Sequence, residues 1–315
     1  QKGQKMCHKK MGFVVKIFSA ICIFAFLATS INTYCFTPNE NGCENQPAQQ
    51  SFLNENITQE DFQKTLCQLK EIYGEEFYND ITKITISQNI SDHQHKISFL
   101  QLESWEPFSS LKLEEIDKIL TEYFNLYPST WTLKIKGVIF EAQDQKPKSV
   151  KNPGPNDWVG GLVIFDPSDN LWKIYIYPVI LRRSARHNPS ELCETFSHEI
   201  AHINDWKSIN MTPEKKLIFF QKIAERFNAE DHYANMDYYL NNISLNTPQQ
   251  TAYRQIVEYW AVISEAYLEE RRGLSAKDAD LVKSIIQYTE LQFIDAKQKS
   301  KEQRRKLLDK IFYDQ

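Results

Sequence analysis

The sequence predicts an α+β protein in which a small mixed sheet is followed by a mostly helical portion, and three observations predict it. Alternating apolar residues between Thr132 and Tyr177 mark short strands. Capped runs of 3.6-residue period fill the chain from Ser190 onward. One of these runs carries His198-Glu199-Ile200-Ala201-His202, an HExxH sequence. At 315 residues, 42% hydrophobic and 13% aromatic, the chain can bury an ample core as one large domain or two smaller ones. A net charge of -4 with no basic stripe argues against nucleic acid as a partner.

Residues 1–30 read as a secretory signal peptide. Lys9, Lys10 and Lys16 precede an apolar run from Ile17, which ends in the small-x-small pattern Ala28-Thr29-Ser30. The alternative, an uncleaved membrane anchor, would need a longer run than Lys16 allows. Export makes the expected location secreted or periplasmic, with no stable membrane insertion after cleavage. Cys35, Cys43, Cys67 and Cys193 remain, an even number that favours two disulfides; alternatively Cys193 is a small buried residue on its helix. Residues 31–57 read as an extended cysteine-containing tether. Residues 58–105 read as a small N-terminal subdomain, with a helix through Phe62, Leu66, Leu69 and Ile72 and short strands from Ile81 to Phe99.

Residues 106–273 hold the functional signals. Leu113, Ile116, Leu120, Tyr123, Phe124 and Tyr127 share a helical face that Pro128 ends. A strand is expected from Thr132 to Glu141, then a Pro- and Gly-rich loop. A hairpin follows, from Gly161 to Phe165 and Leu171 to Tyr177, turning at Asp166-Pro167-Ser168-Asp169-Asn170. Its last strand is the expected edge for an extended peptide to pair with. Asn188-Pro189-Ser190-Glu191 supplies a cap, a proline at the first helical position and a nearby acid, which places His198 in the third turn of a helix. Further helices begin at Thr212-Pro213 and Thr247-Pro248.

On a helix, positions i and i+4 lie one above the other, so His198 and His202 can aim two imidazoles at one ion with Glu199 alongside. That is zinc hydrolase geometry: the ion acidifies a water and the neighbouring carboxylate takes its proton. A third ligand is needed. The helix after Thr247 has a core face of Ile256, Trp260, Ile263 and Tyr267, and on another face Glu258 and Glu265 interrupt a strip of small and apolar residues. Glu258, hemmed in by Val257, Tyr259 and Trp260, is the favoured ligand over Glu265, since a buried carboxylate needs a partner. Glu269 and Glu270 read as a solvated face.

The sequence His198-Glu199-Ile200-Ala201-His202-Ile203-Asn204-Asp205, with Glu258-Tyr259-Trp260-Ala261 on a later helix and Ala266-Tyr267 beyond, resembles the catalytic domain shared by anthrax lethal factor and the clostridial Pro-Pro endopeptidases. The resemblance runs from Ser190 to Leu268. It implies a zincin-like fold around an HExxH active-site helix and a gluzincin-type endopeptidase acting on protein or peptide substrates. It further implies Zn2+ on His198, His202 and Glu258, Glu199 as general base, and Asp205 in support. Three features depart from the family, the first being a longer interval between His202 and Glu258. Val262 stands where a second acid is expected, and Thr251 occupies the place of the family's transition-state tyrosine, so Tyr253 becomes the first candidate for that role, with His232 or Tyr233 as substitutes. These departures favour the alternative class, a secreted binding or adhesion module that keeps the fold without turnover. Residues 274–315 read as a packing helix, marked by Leu281, Val282, Ile285 and Ile286, whose basic end from Lys297 to Lys306 is solvated.

Overall fold

The computed structural model describes residues 56–83, 111, 113–150, 153, 158–168, 170–186, 190–235, 237–289 and 293–313. The signal peptide, Cys35, Cys43 and the strands expected from Ile84 to Phe99 lie outside them. Helix α1, Gln59–Thr82, starts at a cap: the Thr58 hydroxyl accepts the Asp61 N–H at 3.1 Å. It continues through Ile81 and Thr82, where strand alternation was expected. Ile81 is buried in the same apolar stripe as Leu66, Leu69, Tyr73 and Phe77, so helical packing overrides the local pattern. Gly74 breaks the helix with φ +84°, a conformation natural to glycine, where α1 meets Gln249. α1 packs on the helices Pro213–Phe227 and Pro248–Leu268, within the unit formed by residues 50–315.

Helix α2, Leu113–Phe124, is followed by the short α3, Ser129–Thr132, so the next strand, β1, is confined to Ile135–Phe140. β2, Gly161–Asp166, and β3, Leu171–Ile176, form the expected hairpin. At its turn Asn170 takes φ +60°, which asparagine tolerates better than most residues. The Asp166 carboxylate receives Lys173 at 2.8 Å and Lys136 at 3.3 Å, joining all three strands. Strand order corrects the expected edge. β1 pairs parallel to β3, so the order is β1-β3-β2 and β3 is central. β2 is the outer strand beside the site.

Helix α4, Pro178–Arg186, has no counterpart among the expected elements. Its first turn is capped from a distant loop: the Asp144 carboxylate accepts the Val179 N–H at 2.6 Å and pairs with Arg182. Helix α5, Ser190–Ile203, carries the HExxH residues and buries Leu192, Phe196 and Ile203. α6, Pro213–Phe227, starts at the Thr212 cap; the short α7, Asp237–Asn242, follows; α8, Pro248–Leu268, starts at the Thr247 cap. α9, Ala276–Thr289, and α10, Phe293–Tyr313, replace the single C-terminal helix expected. The described residues are therefore a mostly helical α+β structure with a three-stranded mixed sheet. No helix among them is long and apolar enough to cross a membrane. Among the described residues, Cys67 is exposed, Cys193 is buried and the two are not bonded to each other.

The basic C-terminal segment departs at Arg304 from the solvated end expected of it, while Arg305 and Lys306 are exposed. Arg304 is fully buried, donating to Glu269 at 2.9 Å and to the Leu268 carbonyl at 3.1 Å. Glu269 is correspondingly buried and also accepts the Ser197 hydroxyl at 2.6 Å, one residue before His198. Ser197 continues to Tyr127 at 2.8 Å and Tyr127 to Tyr123 at 2.7 Å. α10 thus holds the underside of α5 through a buried charge pair. Arg304→Met strands Glu269 without its cation and is expected to lower the unfolding free energy by about 3–5 kcal/mol in urea titrations. Adding Glu269→Gln should restore much of the loss; equal loss in the single and double variants would contradict the pairing.

Candidate metal centre

α5 and α8 pack along each other, and the indole N–H of Trp260 donates to the Ala201 carbonyl at 3.0 Å, fixing their rotation. Asn204 secures the end of α5 by donating to the Trp131 and Ile200 carbonyls, both at 2.9 Å. This packing sets Glu258 of α8 opposite the two histidines of α5. The Nε2 atoms of His198 and His202 are 3.1 Å apart, and Glu258 Oε2 lies 3.4 Å from the first and 3.6 Å from the second. Ligand atoms held tetrahedrally at about 2.0–2.1 Å from one ion stand about 3.3 Å apart. The observed triangle has those dimensions, and its donors are two imidazoles and a carboxylate. Among the described residues, these three form the cluster that could hold a metal ion.

The two carboxylates considered as third ligand take different places. Glu258 turns one oxygen to the imidazoles and gives the other to Arg254 at 2.5 Å. Glu265, seven residues on along the same helix, approaches the other nitrogen of His198, Nδ1, at 3.2 Å. A carboxylate on the distal ring nitrogen fixes the orientation of a ligating imidazole and raises its basicity. Arg271 holds Glu265 in turn at 2.7 Å and Glu194 at 2.5 Å. Arg254 was legible as a partner, since it stands four residues before Glu258 on a helix. Arg271 was not, because a left-handed turn at Glu270, φ +50°, swings it back beneath α8.

Burial alone would raise the Glu258 carboxyl, but Arg254 and the imidazoles hold it well below its usual range. Burial lowers His202 to about 4. It would lower His198 too, yet the hydrogen bonds to Glu258 and Glu265 raise that ring to about 10. Burial pushes Glu199 up to about 7, against the pull of His198. Glu199 packs beside Gly161 of β2, where a Cβ would stand 2.7 Å from its Oε1. The absent side chain lets the outer strand reach α5, a use of glycine that sequence alone did not mark.

The group lines an open cleft of about 840 Å³, bounded by β2, the loop before it, α5, α7 and α8. Tyr253 does not share this arrangement. Five helical residues separate it from Glu258, a rotation of about 140°, and its hydroxyl donates to Asp80 at 2.6 Å while accepting the Trp206 N–H at 3.3 Å. His232 contacts the Ala229 carbonyl at 2.7 Å and Asp237 at 3.0 Å, and the Tyr233 N–H donates to Tyr259 at 3.2 Å; neither lines the cleft. Tyr239 does line it, and burial together with the charge of Glu258 raises its hydroxyl pKa. Asp205 is buried after the end of α5 and pairs with Lys207 at 2.9 Å.

No family model, curated protein or solved structure matches the chain. What the site can do follows from its donors and their surroundings. Elemental analysis of the purified protein should find close to one equivalent of a divalent metal, lost in Glu258→Ala. Glu265→Gln is expected to keep the metal with affinity weakened by about 10–100-fold. Unchanged metal content in Glu258→Ala would take Glu258 out of the ligand set.

Proposed function

We propose that this protein is an exported zinc-dependent endopeptidase of gluzincin type, similar in its catalytic portion to anthrax lethal factor and the Pro-Pro endopeptidases. The observation that carries this reading is the triangle formed by His198, His202 and Glu258, with the Glu199 carboxyl beside it at the wall of an open cleft. A zinc ion held by these three residues would supply Lewis acidity toward a water and a peptide carbonyl.

The chain's own residues supply the rest. Glu199 takes a proton from the attacking water and passes it to the leaving amine, a role that suits a carboxyl whose burial pushes its pKa up to about 7. Glu265 and Arg254 hold His198 and Glu258 in orientation. An extended substrate pairs with the outer strand β2, whose Gly161 end stands against Glu199. Tyr239, which lines the cleft and whose hydroxyl is hydrogen-bonded to the Ser149 side chain, is the proposed donor toward a developing oxyanion, in place of Tyr253. The alternative, a binding or adhesion module without turnover, draws on Val262 and Thr251, which depart from the family's residues.

Glu199→Gln separates the two. It should retain the metal and lose peptide hydrolysis by about 10²–10⁴-fold, measured on casein and on quenched fluorescent peptides. Tyr239→Phe should lower kcat by about 10²-fold with KM little changed. Full activity in Glu199→Gln would remove the endopeptidase reading, and wild-type protein loaded with zinc yet inert on a broad peptide library would favour the binding module.

A further inference from the structure

The cleft is not electrically uniform along its length. Beyond Glu258 it opens into a smaller lobe of about 250 Å³, and Lys148, Lys207 and Arg254 line both spaces. Two of these cations have carboxylate partners, but the partners lie behind them. Asp205, 2.9 Å from Lys207, and Glu258, 2.5 Å from Arg254, have side chains only 0% and 3% exposed, whereas those of Lys207 and Arg254 are 29% and 40% exposed. What faces the solvent is therefore ammonium and guanidinium. Lys148 is exposed on a loop that is not left loose. Val150 bridges to Ile243, and the Ser244 N–H donates to the Ser149 carbonyl at 2.8 Å, which pins this loop at the mouth of the lobe. Tyr253 also lines the lobe and donates its hydroxyl to Asp80 at 2.6 Å, and the acid lining that space is the exposed Glu76.

The other end of the cleft is different. There Arg183 and Arg271 face Glu191 and Glu194, whose side chains are 34% and 28% exposed, so both signs reach the solvent together. Among the described residues, the Arg254 end presents three cations, two of them in front of buried acids, against one exposed acid, Glu76.

We propose that Lys148, Lys207 and Arg254 form an anion subsite that takes a carboxylate of the bound peptide, so that the protein selects acidic substrates. As a statement about substrates this rests on the endopeptidase reading, but the subsite itself can be tested without turnover. Guanidinium and ammonium groups that converge on one carboxylate give charge-assisted hydrogen bonds, and partial burial limits their screening. The carboxylate has two sources in a peptide, an Asp or Glu side chain or the chain terminus.

The test is calorimetric binding to the zinc-loaded Glu199→Gln protein. The probes are acetylated, amidated decapeptides with Glu or Gln at alternate positions, and the Gln peptide with a free C-terminus. The Glu peptide should bind at least about five-fold more tightly than its amidated Gln counterpart, with the ratio falling as salt rises. In Lys148→Glu the ratio should fall to near one. A preference for the free-terminus Gln peptide over the amidated one would assign the carboxylate to the chain end instead. Equal binding of all three peptides, binding of none, or a ratio unchanged in Lys148→Glu overturns the subsite. Hydrolysis by the wild-type protein is scored separately, so a peptide that binds with acidic preference but is never cut counts against the endopeptidase reading alone.

Discussion

The structure depends on matching buried carboxylates with cations around one helix. Glu258, Glu265, Glu269 and Asp205 are all buried within reach of α5, in a core made mainly of aromatic and aliphatic side chains. An unpaired charge there would cost several kcal/mol. Each is met by a cation from a different part of the chain: Arg254 one turn earlier on α8, Arg271 from the turn after α8, Arg304 from α10, and Lys207 from the segment after α5. The chain path beyond α8 follows from this need. Glu270 and Gly273 take left-handed conformations that return Arg271 to its own helix, and α10 brings Arg304 under Ser197. These segments complete the site's electrostatics although none of them carries the HExxH residues.

Glu199 stands apart from this pattern. It is buried like the others, but its environment raises its proton affinity rather than lowering it, because burial outweighs the nearby positive charge. Glu258, with Arg254 against one oxygen, is driven the opposite way. Two glutamates in one cleft are thus held in opposite senses, Glu258 toward its ionised form and Glu199 toward its protonated one. The separation follows from which carboxylate has a guanidinium beside it.

Much of the helical part was legible because its signals are local. Thr58, Thr212 and Thr247 are real side-chain caps, and the i, i+4 histidines need only a helix to converge. Glu258 could be singled out from the apolar residues flanking it. The sheet was legible as strands and a hairpin, but its order was not. Which strand is central depends on the path of residues 141–160 between β1 and β2, and that path carries no periodicity. Helix α4 was missed because its cap comes from Asp144, far away in sequence. Tyr253 was misplaced because nearness in sequence to Glu258 does not survive five residues of helical rotation, and Tyr239 was passed over because no pattern links α7 to the cleft. Glu269 and Arg304 each look like surface charges in isolation, and only their pairing explains why both are inside.

Gly161 shows how sheet and helix become one site. β2 can lie against α5 only where its backbone has no side chain, since a Cβ there would meet Glu199 and Thr195 at under 3 Å. The close approach therefore occurs at the first residue of β2, and the strand diverges from α5 toward the exposed Ile164 and Phe165. A peptide paired along β2 would on the proposed reading have its reacting carbonyl near Gly161 and the residues on one side of it beside Ile164 on one face of the strand and Phe165 on the other. The residues on the other side would pass the metal donors toward Arg254 and Lys148. Position along the edge is then set by a glycine, and side-chain preference by what lies to either side of it, so the specificity of such an enzyme would be bipolar, apolar on one flank and anionic on the other.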